Sequence, residues 1–327
     1  MLSVARLRIP AVRKLLTKMS AYATTNGANG ANGHSASHAY TVTNLKRWSC
    51  DDKQLPSVQS IRSIHIYDFD NTLFASPLPN RQIWHTSTIG QLSAPDVFVN
   101  GGWWHDSTLL AATGEGLEKE EARAWKGWWN EQIVQLVELT MEQKDALNVL
   151  LTGRSDSGFA SLIKRMVKSK GLEFDMVCLK PAVGPANQRI TSTMQFKQEL
   201  LKDIIYTYRE AEDLRIYEDR PNHVIGFRDF FVDFNKTLQS SMSQVPRNTI
   251  SAEVIPVAEK ATRLDPVIEV AEIQRMMNGH NQAVRDGIAP LRAVPLRIAR
   301  NVLHTAYMVD QATTERLLGL YKIPKNR

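Results

Sequence analysis

Four short apolar runs constrain this chain most, because each ends in a residue able to carry chemistry. They are Ser63–Asp68 (SIHIYD), Asn148–Thr152 (NVLLT), Asp175–Lys180 (DMVCLK) and Leu214–Glu218 (LRIYE), with a weaker fifth candidate at Glu253–Val257 (EVIPV). Runs of this length, bounded by polar residues, read as buried strands. Helical spacing lies between them. Residues 157–170 repeat Phe159, Leu162, Ile163, Met166 and Val167, residues 193–211 repeat Phe196, Leu200, Leu201, Ile204 and Ile205, and a third helical pattern covers 221–238. Strands alternating with helices predict an α/β fold with a parallel sheet covered on both faces.

The stretch after the first strand, residues 75–140, is far longer than a crossover helix needs and reads as an insertion over the carboxyl edge of the sheet. It contains six of the seven tryptophans, the turn GGWWH (Gly101–His105), and a helix expected from about Leu117 to Leu139. Trp125 and Trp129 lie one helical turn apart and read as core. Trp103 and Trp104 are adjacent and cannot both point inward on an extended segment, so one of them is a candidate to face a ligand. The main domain is expected over 59–240. Residues 241–327 then read as a strand and a helical C-terminal appendage, with Asp265-Pro266 starting a helix cleanly. His280 and His304 are lone histidines there, read as structural or exposed.

Charge separates the N-terminus from the body. Residues 1–50 hold seven of the 40 basic residues and no acidic one, leaving 33 basic against 34 acidic in the remainder. A body so nearly neutral is not expected to bind nucleic acid strongly through phosphate contacts. Lys164, Arg165, Lys168 and Lys170 on one helix form either a local basic patch or a solvated face. Residues 1–19, Arg-rich and free of acids, read as a mitochondrial presequence, though Pro10 interrupts any helix. Initiation at Met19 would give a cytoplasmic product instead. Residues 20–58 read as a flexible linker, with Gly/Asn/Ser/Ala low complexity over 24–38. No apolar run is long enough for a membrane span. The two cysteines, Cys50 and Cys178, supply neither a disulfide framework nor a four-cysteine zinc site.

Three segments at strand ends carry the candidate chemistry: Asp68-Phe69-Asp70-Asn71-Thr72, Leu151-Thr152-Gly153-Arg154 and Glu218-Asp219-Arg220. In an open α/β sheet the carboxyl ends of the strands form the ligand crevice, so segments distant in sequence converge there. Carboxylates gathered in one crevice repel each other unless a cation joins them, and Mg²⁺ suits carboxylate and phosphate oxygens. Asp68, Asp70 and Asp219 are the expected ligands, with Glu218 as second choice to Asp219. Asp68 is the candidate nucleophile and Asp70 the candidate general acid and base. Asn71 tolerates the left-handed backbone that a sharp turn after the strand requires. Thr152 would offer a hydroxyl and backbone N–H to phosphoryl oxygens, Gly153 lets the backbone come close, and Lys197 is the candidate phosphate-balancing cation. Each signal has a plainer alternative: Asp-x-Asp-x-Thr is common in loops, and Lys197 could lie on a solvated helix face. Trp103, Trp104 and Arg154 are the candidates to touch the substrate.

The succession DFDNT, LLTGR, a lysine, then YEDR resembles the haloacid dehalogenase (HAD) superfamily of aspartate-nucleophile phosphatases. More narrowly, YDFDNTLF (67–74), PLPN (77–80), GGWWH (101–105), WKGWWN (125–130), VLLTGR (149–154), STMQFK (192–197) and YEDRPNHV (217–224) resemble the fungal HAD domain of Swiss Army Knife RNA repair proteins. The resemblance covers roughly 60–240. It implies a HAD-like Rossmannoid sheet with Mg²⁺-dependent phosphoryl transfer by Asp68, Asp70, Thr152, Lys197 and Asp219. Glu218-Asp219 stands where many relatives carry Asp-Asp or Gly-Asp. Three functions fit the sequence: a phosphatase of nucleic-acid terminal phosphates, a phosphatase of a small metabolite with the insertion as a lid, and a non-catalytic binding or assembly protein on the same fold.

Overall fold

The apolar runs form an all-parallel sheet, as their alternation with helices predicts. The computed structural model describes residues 3–7, 40–113, 116–240, 247–260, 262–302 and 310–320. The expectations for the linker at 24–38, for Met19, for His304 and for most of the leader fall outside these residues. In chain order the described strands are β1 Ser3–Leu7, β2 Ser63–Asp68, β3 Ala146–Ser155, β4 Met176–Lys180, β5 Asp213–Glu218, β6 Ser251–Pro256 and β7 Ile298–Val302. The main sheet has the order β4-β3-β2-β5-β6, which puts β2 at its centre. In register, Asp68 pairs with Leu151 of β3 and Tyr67 with Tyr217 of β5, so three strand ends open side by side. The separate pair β1–β7 is antiparallel.

The helices are α1 Val42–Lys46, α2 Thr86–Ser93, α3 Ser107–Ala111, α4 Leu117–Ala122, α5 Glu131–Met141, α6 Asp156–Ser169, α7 Thr193–Thr207, α8 Pro221–Gln239, α9 Pro266–Arg285 and α10 Gln311–Leu320. None among the described residues is long and apolar enough to cross a membrane. Because side chains alternate along a strand, β2 supplies both cores. Ile64 and Ile66 pack with Phe196 and Leu200 of α7 and Phe227 of α8, while Tyr67 packs with Val137 of α5 and Phe159 and Ile163 of α6. Each fully buried side chain of this size stabilises the fold by roughly 1.5–3 kcal/mol relative to exposure.

Three expectations about boundaries are corrected. Residues 40–58 are not a flexible linker ahead of the domain: α1 and the turn after it bury Leu45, Trp48 and Leu55 in the core with α7, and the Trp48 indole donates to Asp203 Oδ2 at 2.7 Å. Residues after 240 do more than extend the domain: β6 is the fifth strand of the same sheet, paired with β5 from Asp213↔Ser251 to Glu218↔Pro256. Further on, α9 buries Ile273, Met276 and Met277 against Trp84, Leu92, Phe98 and Trp103 of the insertion. Glu269 of α9 is fully buried and accepts hydrogen bonds from the Asn80 N–H (2.8 Å) and the Trp84 indole (2.7 Å). The single helix expected over Leu117–Leu139 is instead two, α4 and α5. Ala124, Trp125 and Gly127 between them take left-handed φ of 54°, 48° and 91°. The break turns Trp125 and Trp129 into the core beside β2 and α5, where the Trp129 indole donates to the Ala124 carbonyl at 2.7 Å. Burial of two large rings outweighs the local helical preference of the sequence.

Candidate active site

The first strand ends at Asp68 because the chain turns at once. Asn71 takes φ 60°, as its tolerance of that region allows, and its N–H donates to the Phe74 carbonyl at 2.7 Å. Asp68 is 3% exposed. Its Oδ1 accepts from Lys197 Nζ at 2.5 Å, while Oδ2 is buried without a partner among the described residues. Lys197, one turn into α7, also donates to Glu218 Oε2 at 2.7 Å. Glu218 ends β5, and His223 Nδ1 lies 3.2 Å from its Oε1. Asp219 follows it and accepts from the Thr72 hydroxyl at 3.4 Å.

Asp68, Glu218 and Asp219 thus converge from two adjacent strands, each offering an oxygen within 4.8 Å of the others. Three carboxylates share the Lys197 ammonium and the nearby Arg220 guanidinium. Burial and the charge of Glu218 push the Asp68 carboxyl well above the usual range, against the opposing pull of Lys197. Burial likewise raises Glu218, but Lys197 and His223 outweigh it and hold that group ionised. The Asp219 carboxyl is lifted to about 6 by burial and by Glu218. A surplus of negative charge with an orphaned carboxylate oxygen suits a hard divalent cation with oxygen ligands, of the Mg²⁺ type.

Asp70 does not join this cluster, contrary to the expectation that it is a metal ligand. Its carboxylate accepts from Arg154 Nη2 at 2.7 Å and from Nε at 3.1 Å to both oxygens, and from the Ser76 hydroxyl at 2.6 Å. Burial alone would raise the Asp70 carboxyl, but the charge and hydrogen bonds of Arg154 prevail and lower it. The planar fork of arginine matches a carboxylate two bonds at a time, which explains the pairing. Arg154 is therefore committed to Asp70 rather than extended toward a substrate. Its Nη1 donates to the Trp104 carbonyl at 3.0 Å, and its guanidinium lies between the rings of Trp104 and Phe159, 5.1 and 4.8 Å from their centroids.

Thr152 is fully buried with its hydroxyl 3.3 Å from Asp70 Oδ2, so the side chain supports Asp70 instead of presenting itself to a phosphoryl group. Gly153 is where the end of β3 meets the start of α7: a Cβ there would lie 2.6 Å from Thr193 Cγ2. The two neighbouring tryptophans separate as adjacency requires. Trp103 is buried with its indole on the Pro77 carbonyl at 3.0 Å, and Trp104 is half-buried at the cleft wall.

These segments border a cleft of about 660 Å³ lined by Asp70, Asn71, Trp104, Gly153, Arg154 and Asp219, together with Lys180, Thr193 and Arg220. Asp68 and Glu218 are buried and do not line it, so Asp219 is the member of the carboxylate cluster that reaches the cleft. Arg220 went unassigned from sequence, although its place directly after Glu218-Asp219 could have marked it. Burial opposes its charge, but Asp68, Asp70, Glu218 and Asp219 together hold it firmly protonated. Nothing in the local pattern marked Ser76. The basic run on α6 is largely spent on structure: Lys164 donates to the Cys50 carbonyl, Arg165 pairs with Glu121 and Lys170 with Glu131. His280 is also structural, accepting from the Val99 N–H and bonded to the Val294 carbonyl.

Over residues 76–282 the sequence matches the family model described as HAD domain family 1 in Swiss Army Knife RNA repair proteins. The matched span takes in the insertion, β3 to β6 and most of α9, and starts just beyond Asp68 and Asp70. The sequence is 34% identical over 183 residues to "Uncharacterized protein YMR265C" of Saccharomyces cerevisiae. That alignment takes in 53% of this chain and 37% of the yeast protein, so the chain spans little more than a third of that curated relative. A solved structure, the HAD domain of effector protein Lem4 from Legionella pneumophila (an inactive mutant), aligns with 70% of this chain and 99% of its own. The two share 10% identity with a TM-score of 0.32.

Proposed function

We propose, from the premise that this chain belongs to HAD domain family 1 of the Swiss Army Knife RNA repair proteins, that it is a Mg²⁺-dependent phosphomonoesterase acting through an aspartyl-phosphate. The observation that carries this reading is the buried, unpartnered Oδ2 of Asp68 within the Asp68–Glu218–Asp219 cluster, which reaches the cleft through Asp219, beside Lys180 and Arg220 in the lining. Asp68, Glu218 and Asp219 would hold the ion, which when bound neutralises charge on the carboxylates and on the phosphoryl oxygens. A phosphomonoester enters with its phosphoryl group toward Arg220, Lys180 and the N-terminal end of α7. The Asp68 carboxylate oxygen forms a bond to phosphorus as the ester P–O bond breaks. Asp70 serves as the acid for the departing alkoxide only after taking up a proton from solvent, because Arg154 holds its carboxyl low in the resting site. Water then attacks phosphorus, Asp70 takes its proton, and the acyl-phosphate P–O bond breaks to free inorganic phosphate and restore Asp68. Lys197 opposes the effect of burial on Asp68 and orients it throughout.

Nucleic-acid terminal phosphates are the substrate class this reading favours, because Trp104 offers a ring face at the cleft wall on which a base can stack. The burial of Trp84, Trp103, Trp125 and Trp129 supports the second reading, a small-metabolite phosphatase whose insertion excludes water. A non-catalytic role predicts carboxylates splayed apart, and the close approach of Asp68, Glu218 and Asp219 counts against it. The test is phosphate release by the full chain from p-nitrophenyl phosphate, small phosphomonoesters and 3′- or 5′-phosphorylated oligonucleotides, with Mg²⁺ or EDTA, beside Asp68→Asn. Metal-dependent release absent from the variant supports the proposal, and equal background in both overturns it.

A further inference from the structure

The cleft does not end at Trp104. A second groove of about 680 Å³ shares Leu78, Trp104 and Glu259 with it and continues to Arg81 and Arg263. Trp104 therefore stands at the junction, with one groove running back to Asp219 and Arg220 and the other out to two exposed guanidinium groups. Among the described residues neither Arg81 nor Arg263 makes a hydrogen bond or ion pair, in contrast to Arg123, Arg154, Arg165 and Arg275, all of which are paired. Arg263 acts at a distance on buried Glu269. Glu259 is the one acid common to both grooves, and it is exposed.

We propose that this outer groove is a second anion subsite, so that the preferred substrate carries two phosphates on a scaffold that also bears a planar ring. Such a substrate places the scissile phosphate over Asp68, its ring against Trp104 and its second phosphate on Arg81 and Arg263. The inference rests on the phosphomonoesterase reading for the inner site and adds the class of molecule that fills both grooves. Its physical basis is the fit of guanidinium to phosphate, two hydrogen bonds at a time, together with stacking of a ring on an aromatic face. Two arginines with no ion pair among the described residues can give this energy to a ligand without first breaking one. Glu259 disfavours an anion at the shared wall and so sets where the second phosphate can lie.

The experiment uses the full chain carrying Asp68→Asn, which turns nothing over, titrated calorimetrically in Mg²⁺ with adenosine 3′,5′-bisphosphate and adenosine 3′-monophosphate. The bisphosphate should bind at least about tenfold tighter, the size of one charged hydrogen-bond pair. Arg81→Ala with Arg263→Ala should abolish that preference, and Trp104→Ala should weaken both nucleotides. The exposed Arg292→Ala, which lines neither groove, removes charge elsewhere and should preserve the preference. A 3′-phosphorylated trinucleotide titrated alongside distinguishes a strand end from a free nucleotide, since only the former gains further affinity. Equal affinity for the two adenosine phosphates, no binding of either, or the same loss on Arg292→Ala overturns the proposal. Hydrolysis of p-nitrophenyl phosphate by the unsubstituted chain, which needs no outer groove, reports separately on the inner site.

Discussion

Replacing Lys197 by methionine tests the electrostatic centre of the site. The ammonium is 1% exposed and lies 2.5 Å from Asp68 Oδ1 and 2.7 Å from Glu218 Oε2. At an effective dielectric of about 20, each contact is worth roughly 6 kcal/mol of attraction, and desolvating the ions returns several of those. Methionine keeps the length and the apolar stem but leaves two buried carboxylates facing each other. Breaking a buried pair in this way costs about 3–5 kcal/mol. The loss should depend on pH. In the variant both carboxyl groups titrate above their unfolded values, so the folded state binds more protons than the unfolded state above about pH 4, and stability falls as pH rises. The deficit should therefore be largest near pH 8, shrink toward pH 5, and be partly restored by Mg²⁺ at pH 8. Urea unfolding followed by tryptophan fluorescence, in EDTA and in Mg²⁺, measures all three. A variant as stable as the parent at pH 8 in EDTA, or a deficit unchanged between pH 5 and pH 8, would refute the reasoning.

Other outcomes follow from the same geometry. Arg154→Met should release Asp70, whose carboxyl burial then drives upward; the limb of the kcat–pH profile set by Asp70 should move to higher pH, and an unmoved limb would remove Arg154 from that role. His65, buried with both ring nitrogens unpartnered, has its pKa lowered to about 4, first by burial and then by Arg215. The unfolded chain takes up that proton near pH 6.5 and the folded chain only near 4, so stability fully present above 6.5 is lost as pH falls to 4, by up to about 3 kcal/mol. His65→Phe should flatten that part of the stability–pH curve in urea titrations. Glu269→Ala leaves the Asn80 and Trp84 N–H groups without their acceptor and should cost about 2–4 kcal/mol, with Glu269→Gln closer to the parent in thermal melts.

The sheet could be read from sequence because its strands are continuous apolar runs and its helices keep their period. The convergence of Asp68 with Glu218 and Asp219 followed from the parallel topology alone, since strands that point one way must end at one edge. What escaped the sequence were tertiary choices among groups of like chemistry. Nothing in DFDNT says that the second aspartate will be claimed by Arg154, because that depends on a register shift in β3 between Thr152 and Ser155. The break between α4 and α5 was hidden in the same way, since the tryptophans that cause it fit a helical period. Residues 251–256 looked weak as a strand because Pro256 and exposed Ser251 and Glu253 mark a sheet edge, where one flank needs no apolar cover.

The bond from Glu269 to Trp84 has a consequence for biosynthesis. A ribosome releases the aspartates, the lysine and all five strands of the main sheet before the residue that braces the Trp-rich insertion has been made. A growing polypeptide can thus assemble its carboxylate cluster while the insertion stays unfastened, and a product cut short anywhere between 257 and 268 would keep the acids but lose the clasp.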